Sequence, residues 1–123
     1  MRWMAFAAAL LTLVLVGCGG HTAGRSEGAS RDRIGVEEIS QTSTQNAYEM
    51  IRSLRPHWLR VSNPGAGPVV VYVDGTRAGG VEMLRQLRAT YVESAQHLNA
   101  SAAAARYGLN HSGGAILIVT RRR

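Results

Sequence analysis

Two short, almost continuous apolar runs constrain the fold of this chain more than any other feature. They occupy residues 69–74, "VVVYVD", and residues 115–120, "AILIVT". Runs of this length, rich in valine and isoleucine, are typical of strands that are buried on both faces of a sheet. The sequence therefore predicts a sheet that contains both segments in its interior.

A hairpin is predicted to follow the first of these strands. Asp74-Gly75 is a strong turn signal because this pair readily adopts the positive φ values of a tight turn. A short return strand would then pass through Arg77 and end at Gly79-Gly80. We take Asp74 to be a turn residue.

Three short helices are expected. In residues 44–54, apolar residues recur with helical spacing, Thr44 or Asn46 could cap the start, and Pro56 ends the segment. Residues 81–89 predict a second helix. The third begins after a cap at Asn99 or Ser101 and ends at Gly108, where a glycine commonly terminates helices.

Residues 91–98, "YVESAQHL", alternate in a way that predicts another strand. In that alternation Val92 and Leu98 point to one side and Glu93 and His97 to the other. Taken together, the elements predict an α+β fold: a small mixed sheet of about four strands with three short helices. Residues 34–120 are enough for one modest core.

The amino terminus predicts an export signal. Arg2 precedes an apolar run that ends at Val16, which is shorter than the roughly 20 residues needed to span a bilayer. The residues at the end of this amino-terminal segment, Leu15-Val16-Gly17-Cys18, resemble the lipobox of bacterial lipoproteins. That resemblance implies cleavage after residue 17, a diacylglycerol on the Cys18 sulfur, and attachment to the outer membrane because Gly19 is not aspartate. The alternatives are an ordinary secretory signal with an incidental cysteine, or an uncleaved anchor.

A flexible tether is predicted over residues 18–33, since glycine, serine and charged residues dominate there. The formal net charge of the chain is +6, and all 14 basic residues are arginine. Three of them form a basic tail at 121–123. Such a tail is usually solvated, and its functional interpretation is contact with anionic lipid head groups. Nucleic acid is not an expected partner of an exported, lipidated chain.

No catalytic or metal site is predicted. Gly24-Arg25-Ser26-Glu27-Gly28 matches G-x-S-x-G, but a nucleophile elbow needs a strand before it and a helix after it, and the tether offers neither. The four histidines lack the spacing of metal ligands. We therefore expect a protein without enzymatic activity, metal or cofactor.

Four segments of the folded part, in order, resemble the plug domain of TonB-dependent outer-membrane receptors. They are "VYVDG" at 71–75, "YVES" at 91–94, "AAARYG" at 103–108 and "GGAILIVT" at 113–120. The resemblance implies a plug-like fold facing the periplasm, whose natural partner is a barrel. The chain departs from the family in having Asn99-Ala100 after the third strand and only three residues after the closing strand, so we do not expect import activity.

Two functions are compatible with these features. The first is a protein-binding adaptor that docks on a partner such as an outer-membrane barrel. The alternative is a periplasmic module that binds a small ligand through two loops, at 74–80 and 110–113. The candidate binding residues in those loops are Asp74, Gly75, Arg77, Asn110 and His111. The oligomeric state is left open.

Overall fold

Five strands form one mixed sheet in a computed structural model of the chain, which describes residues 31–122. The predicted signal peptide, Cys18 and residues 18–30 of the predicted tether lie outside the described residues. The strands follow the order β1-β4-β5-β2-β3, in which only β2 and β5 pair in parallel. Their bounds are β1 Arg33–Ile34, β2 Val70–Val73, β3 Thr76–Gly79, β4 Val92–Leu98 and β5 Ala115–Thr120.

Three α-helices lie wholly within these residues: α1 Val36–Ser40, α2 Ala47–Leu54 and α3 Ala100–Tyr107. Single 3-10 turns occupy Pro56–Leu59, Val81–Arg85 and Ala89–Tyr91. The predicted α+β class is confirmed. The sheet gains one strand over the expected four because residues 33 and 34 pair with β4.

The two faces of the sheet are covered very differently. One face, which we call the main face, carries a large core of buried side chains from the sheet, α1, α2 and the 3-10 turns: Ile34, Ile39, Met50, Ile51, Trp58, Val71, Leu84, Val92, Ala95, Ile116 and Ile118. The other, the α3 face, carries a small core of Val70, Tyr72, Ala103 and Ala115. Among the helices of residues 31–122, α3 contributes to this smaller core.

The predicted helix caps are confirmed for α2 and α3. The Asn46 side chain accepts a hydrogen bond from the Glu49 amide at 2.9 Å, and Asn99 accepts one from the Ala102 amide at 2.8 Å. Each bond satisfies an amide that has no partner inside the first turn of its helix. Arg55 leaves the helical conformation before Pro56, and Gly108 ends α3 with φ of 100°.

The hairpin turn is also confirmed, since Asp74 and Gly75 have φ of 49° and 82°. The Asp74 carboxylate then accepts hydrogen bonds from the Thr120 amide at 2.8 Å and the Thr120 hydroxyl at 2.5 Å. These bonds lower the pKa of Asp74 and fasten the turn to the end of β5. Asp74 is therefore a structural turn residue.

The helix predicted over 81–89 is wrong beyond residue 85. Val81–Arg85 forms a 3-10 turn, and residues 86–88 are not helical before the next 3-10 turn begins at Ala89. The chain next lies against the start of α2, where the Ala47 amide donates to the Leu87 carbonyl and the Ala89 amide donates to the Gln45 carbonyl. These tertiary bonds use the backbone groups that a longer helix would have needed.

The predicted alternation in β4 is wrong as well. The pairing of β4 with β5 shifts between Val92 and Ser94, as in a β-bulge. As a result Val92 packs in the main core while Leu98 packs against the small core on the α3 face. The bulge puts the two residues on opposite sides of the sheet, although their spacing in the sequence predicts one side.

Residues predicted to be tether and tail are held by the fold at both ends. The Arg31 carbonyl accepts from the Trp58 indole at 3.2 Å, and the Asp32 carbonyl accepts from the His97 amide at 2.8 Å. At the other end, the Arg121 amide donates to the Tyr91 carbonyl at 2.8 Å. The fold therefore extends beyond the expected 34–120 at least to residues 31 and 121.

Candidate protein-binding face

A row of five side chains crosses all five strands of the sheet. Strand register aligns them in the order Arg33, Gln96, Leu117, Tyr72, Arg77. We call this set the cross-strand row. Its two ends, on the edge strands β1 and β3, are arginines.

The cross-strand row points to the α3 face. Side chains alternate between the two sides of a strand, and the immediate neighbours of the row belong to the main core. Ile34 and Ile116 are fully buried there, and Ala78 packs against the same core. The row therefore lies on the side of the sheet that α3 covers only in part.

Beside α3 the sheet surface forms a shallow depression of about 200 Å³. Residues of the row, their strand neighbours and the end of α3 line it, among them Arg33, Ser94, Gln96, Arg106, Leu117 and Val119. Val119 is 45% exposed, which is unusual for a large apolar residue of an interior strand. The depression thus has an apolar floor at β5 with polar and cationic groups around it.

Tyr72 supports this floor through a buried aromatic stack. Its ring lies against Tyr107 with centroids 4.1 Å apart and 12° between the planes. Its hydroxyl lies 2.8 Å from His111 Nε2, and His111 Nδ1 lies 2.9 Å from the Gly108 carbonyl. A carbonyl can only accept, so Nδ1 donates to it and, in the neutral ring, Nε2 accepts from the tyrosine. The end of α3 is thereby fixed against the sheet.

Three arginines of the α3 face lack an acidic partner among the described residues. Arg33, Arg77 and Arg106 are exposed, whereas the ion pairs of residues 31–122 join Arg55 to Glu38, Arg85 to Glu82 and His97 to Asp32. The Arg106 guanidinium lies 5.4 Å from the Tyr107 ring centre. Within residues 31–122, no ion pair therefore compensates the positive charge around the apolar floor of this face.

The two predicted binding loops do not converge on one site. Asp74, Gly75 and Arg77 follow the last residue of β2, while Asn110 and His111 precede β5. Because β2 and β5 run in parallel, with Val70 beside Ala115 and Val73 beside Ile118, the loops lie towards opposite ends of β2. Asn110 is exposed, but His111 is only 3% exposed and both of its ring nitrogens are hydrogen-bonded inside the fold.

Of the predicted binding residues, Arg77 belongs to the cross-strand row and Gly75 lines the depression. Sequence reasoning missed Arg33, Gln96, Arg106 and Leu117. The signal that could have indicated an open face is the polar pair Ser94 and Gln96, which flanks the buried Ala95 in a strand.

A second aromatic cluster lies at the start of the fold. The His97 ring stacks on Trp58 at 5.6 Å with 17° between the planes, and its Nδ1 lies 3.6 Å from an Asp32 carboxylate oxygen. Burial lowers the pKa of His97, and the Asp32 carboxylate only partly opposes that effect. Within residues 31–122, no three potential ligands are grouped closely enough to hold a metal ion.

Nothing in this part of the chain resembles a membrane span: in residues 31–122, no helix has the length and apolar character to cross a bilayer. Comparisons with protein-family models, with curated proteins and with solved structures gave no match to the chain.

Proposed function

We propose that the chain is a non-enzymatic protein-binding module, an adaptor held at the outer membrane by a lipid on Cys18. The observation that carries this proposal is the open cross-strand row on the α3 face. Its arginine ends and Gln96 are exposed and Leu117 is half-buried, on a sheet whose other face is well covered. Tyr72, the fifth member, is buried under Tyr107. Binding surfaces are enriched in arginine relative to the rest of a protein surface.

The sequence resemblances also support an envelope lipoprotein that binds another protein. A lipobox at Leu15–Cys18 suits an envelope lipoprotein, and the plug-like order of segments suits a domain that meets other protein. The five-stranded mixed sheet is compatible with a plug-like fold. An outer-membrane barrel is accordingly our first candidate for the partner, and the periplasm is the compartment in which the two would meet.

The small-ligand alternative has less support. The depression on the α3 face has a volume of about 200 Å³, whereas small-molecule pockets occupy about 300–1,000 Å³. The two loops expected to hold a ligand lie towards opposite ends of β2. A shallow surface with scattered polar groups fits a protein contact better than an enclosed ligand.

Site-specific photo-crosslinking in cells tests the proposal. A photoreactive amino acid at Leu117 should give one reproducible adduct with an envelope protein, recovered in near-stoichiometric amount after detergent solubilisation. The same probe at Arg52, an exposed residue of α2, serves as the matched control and should give none. Equal labelling at the two positions, or no adduct from either, would contradict a role in protein binding through the α3 face.

A further inference from the structure

We infer that the α3 face binds a short extended segment of the partner that carries an apolar centre between two carboxylates. This inference rests on the proposed function and names the chemistry of the partner. It follows from the arrangement of charge, apolar surface and distance across the sheet.

Charge selects an acidic partner. Arg33 and Arg77 stand on opposite edge strands and Arg106 stands on α3, and none of them pairs with a carboxylate of residues 31–122. The acidic group at the border of this surface, Asp74, already accepts two hydrogen bonds from Thr120. Guanidinium groups bind carboxylates through two parallel hydrogen bonds, so a free arginine on a binding surface favours that ligand.

The apolar floor selects a side chain rather than a membrane. Leu117 and Val119 lie in the depression beside α3, between the arginines of the two edge strands. A flat lipid surface would contact the groups around this depression, whereas a projecting side chain also fills it. A leucine-like side chain from a peptide can enter the depression and remove the exposed part of Val119 from water.

Distance sets the length of the segment. Arg33 and Arg77 are four strand spacings apart, which is about 19 Å at roughly 4.8 Å per spacing. An extended chain rises about 3.3 Å per residue, so about six residues cover that span. The segment would run over β1, β4 and β5 and then past the end of α3, because Tyr107 covers Tyr72 in the row. Its acidic residues would lie near its ends and its apolar residues over β5.

A randomised hexapeptide library displayed on phage provides the probe, with the full chain in detergent micelles as the target. We expect the enriched peptides to carry Asp or Glu near both ends and an apolar residue at the centre. Their affinity should fall about tenfold for Arg33→Gln and for Arg77→Gln, and should be unchanged for Arg52→Gln. Circular dichroism and thermal unfolding of each variant verify that its fold is intact.

Three results would overturn the inference. The first is enrichment of peptides without acidic residues. The second is binding that is equally sensitive to Arg52→Gln, or insensitive to the two substitutions on the α3 face. The third is no enrichment at all, with vesicles of phosphatidylglycerol bound instead in an Arg33-dependent way. If one of these occurs while the crosslink from Leu117 to an envelope protein persists, protein binding stands and only the partner chemistry is wrong.

Discussion

At the residue scale, Gly113 has less room for a side chain than any other described glycine. A Cβ built there would overlap the Gly67 carbonyl oxygen and lie 2.6 Å from the Pro68 carbonyl oxygen, both of them backbone atoms. We expect Gly113→Ala to lower the free energy of unfolding by about 3 kcal/mol, the upper part of the range for overpacked cores. Urea denaturation measures this loss. Gly80→Ala is the control, since nothing lies within 4 Å of its Cβ position, and an equal loss there would contradict the explanation.

The buried hydrogen bond between Tyr72 and His111 gives a second prediction. Tyr72→Phe keeps the ring stack but leaves His111 Nε2 buried without its donor. Loss of one partner of a buried pair costs about 1–3 kcal/mol. Tyr107→Phe should cost much less, because no hydrogen bond of the Tyr107 hydroxyl occurs among the described residues. Similar losses in chemical denaturation of the two variants would show that the hydroxyl of Tyr72 is unimportant.

His97 should make stability depend on pH. Its folded pKa lies below the ordinary value of 6.5, chiefly because burial disfavours the charged ring. Stability is therefore fully present above pH 6.5 and decreases as the pH falls below it, since only the unfolded chain then gains the proton. The hydrogen bonds of Asp74 lower its pKa below 3.8, so the stability that this carboxylate contributes is fully present above pH 3.8 and is lost only as the pH falls below that value.

The measurement for His97 is the urea midpoint between pH 7 and pH 5. The variant His97→Phe preserves an aromatic ring against Trp58 and removes the titration, so its midpoint should change less over this interval. A decline as steep as that of the unsubstituted chain would assign the pH dependence to other groups.

At the scale of secondary-structure elements, the features that depend on neighbouring residues were predicted correctly, and those that depend on distant partners were not. The caps of α2 and α3 and the Asp74-Gly75 turn depend on residues within four positions of one another, so the sequence alone predicts them. The two-residue strand β1 and the bulge in β4 depend on partners far along the chain. Residues 87 and 89 are likewise not part of a longer helix, because their backbone groups form hydrogen bonds with residues at the start of α2. No local pattern contains that information.

Strand β1 is short, but it carries a fully buried residue, Ile34. Removing most of that side chain from the main core should destabilise the protein by about 2–5 kcal/mol, as for other buried isoleucines changed to alanine. We therefore expect Ile34→Ala to lower the unfolding temperature strongly. Val36→Ala, two residues later at a position 46% exposed, should have little effect. Equal, small shifts in thermal unfolding would mean that β1 adds little to the fold.

At the scale of the whole molecule, the candidate site is invisible in the sequence because its members come from five separate segments. The cross-strand row joins residues 33, 72, 77, 96 and 117, and only the pairing of all five strands brings them together. Arg33 was expected in the tether, where no role in a binding surface could be assigned to it. Arg77 was found because it follows a strong turn signal.

Attachment to the membrane is predicted to depend on Cys18, which lies outside the described part of the chain. If Cys18 carries the lipid, Cys18→Ser should abolish labelling by an acyl-chain probe and release the protein from the membrane fraction. One acyl chain binds only weakly and several together bind firmly, so the change in fractionation should be nearly complete. Arg33→Gln, which alters the α3 face but not residues 15–18, should remain with the membranes. If Cys18→Ser still sediments with membranes and high salt releases it, basic residues such as Arg121 and Arg122 hold the protein there instead.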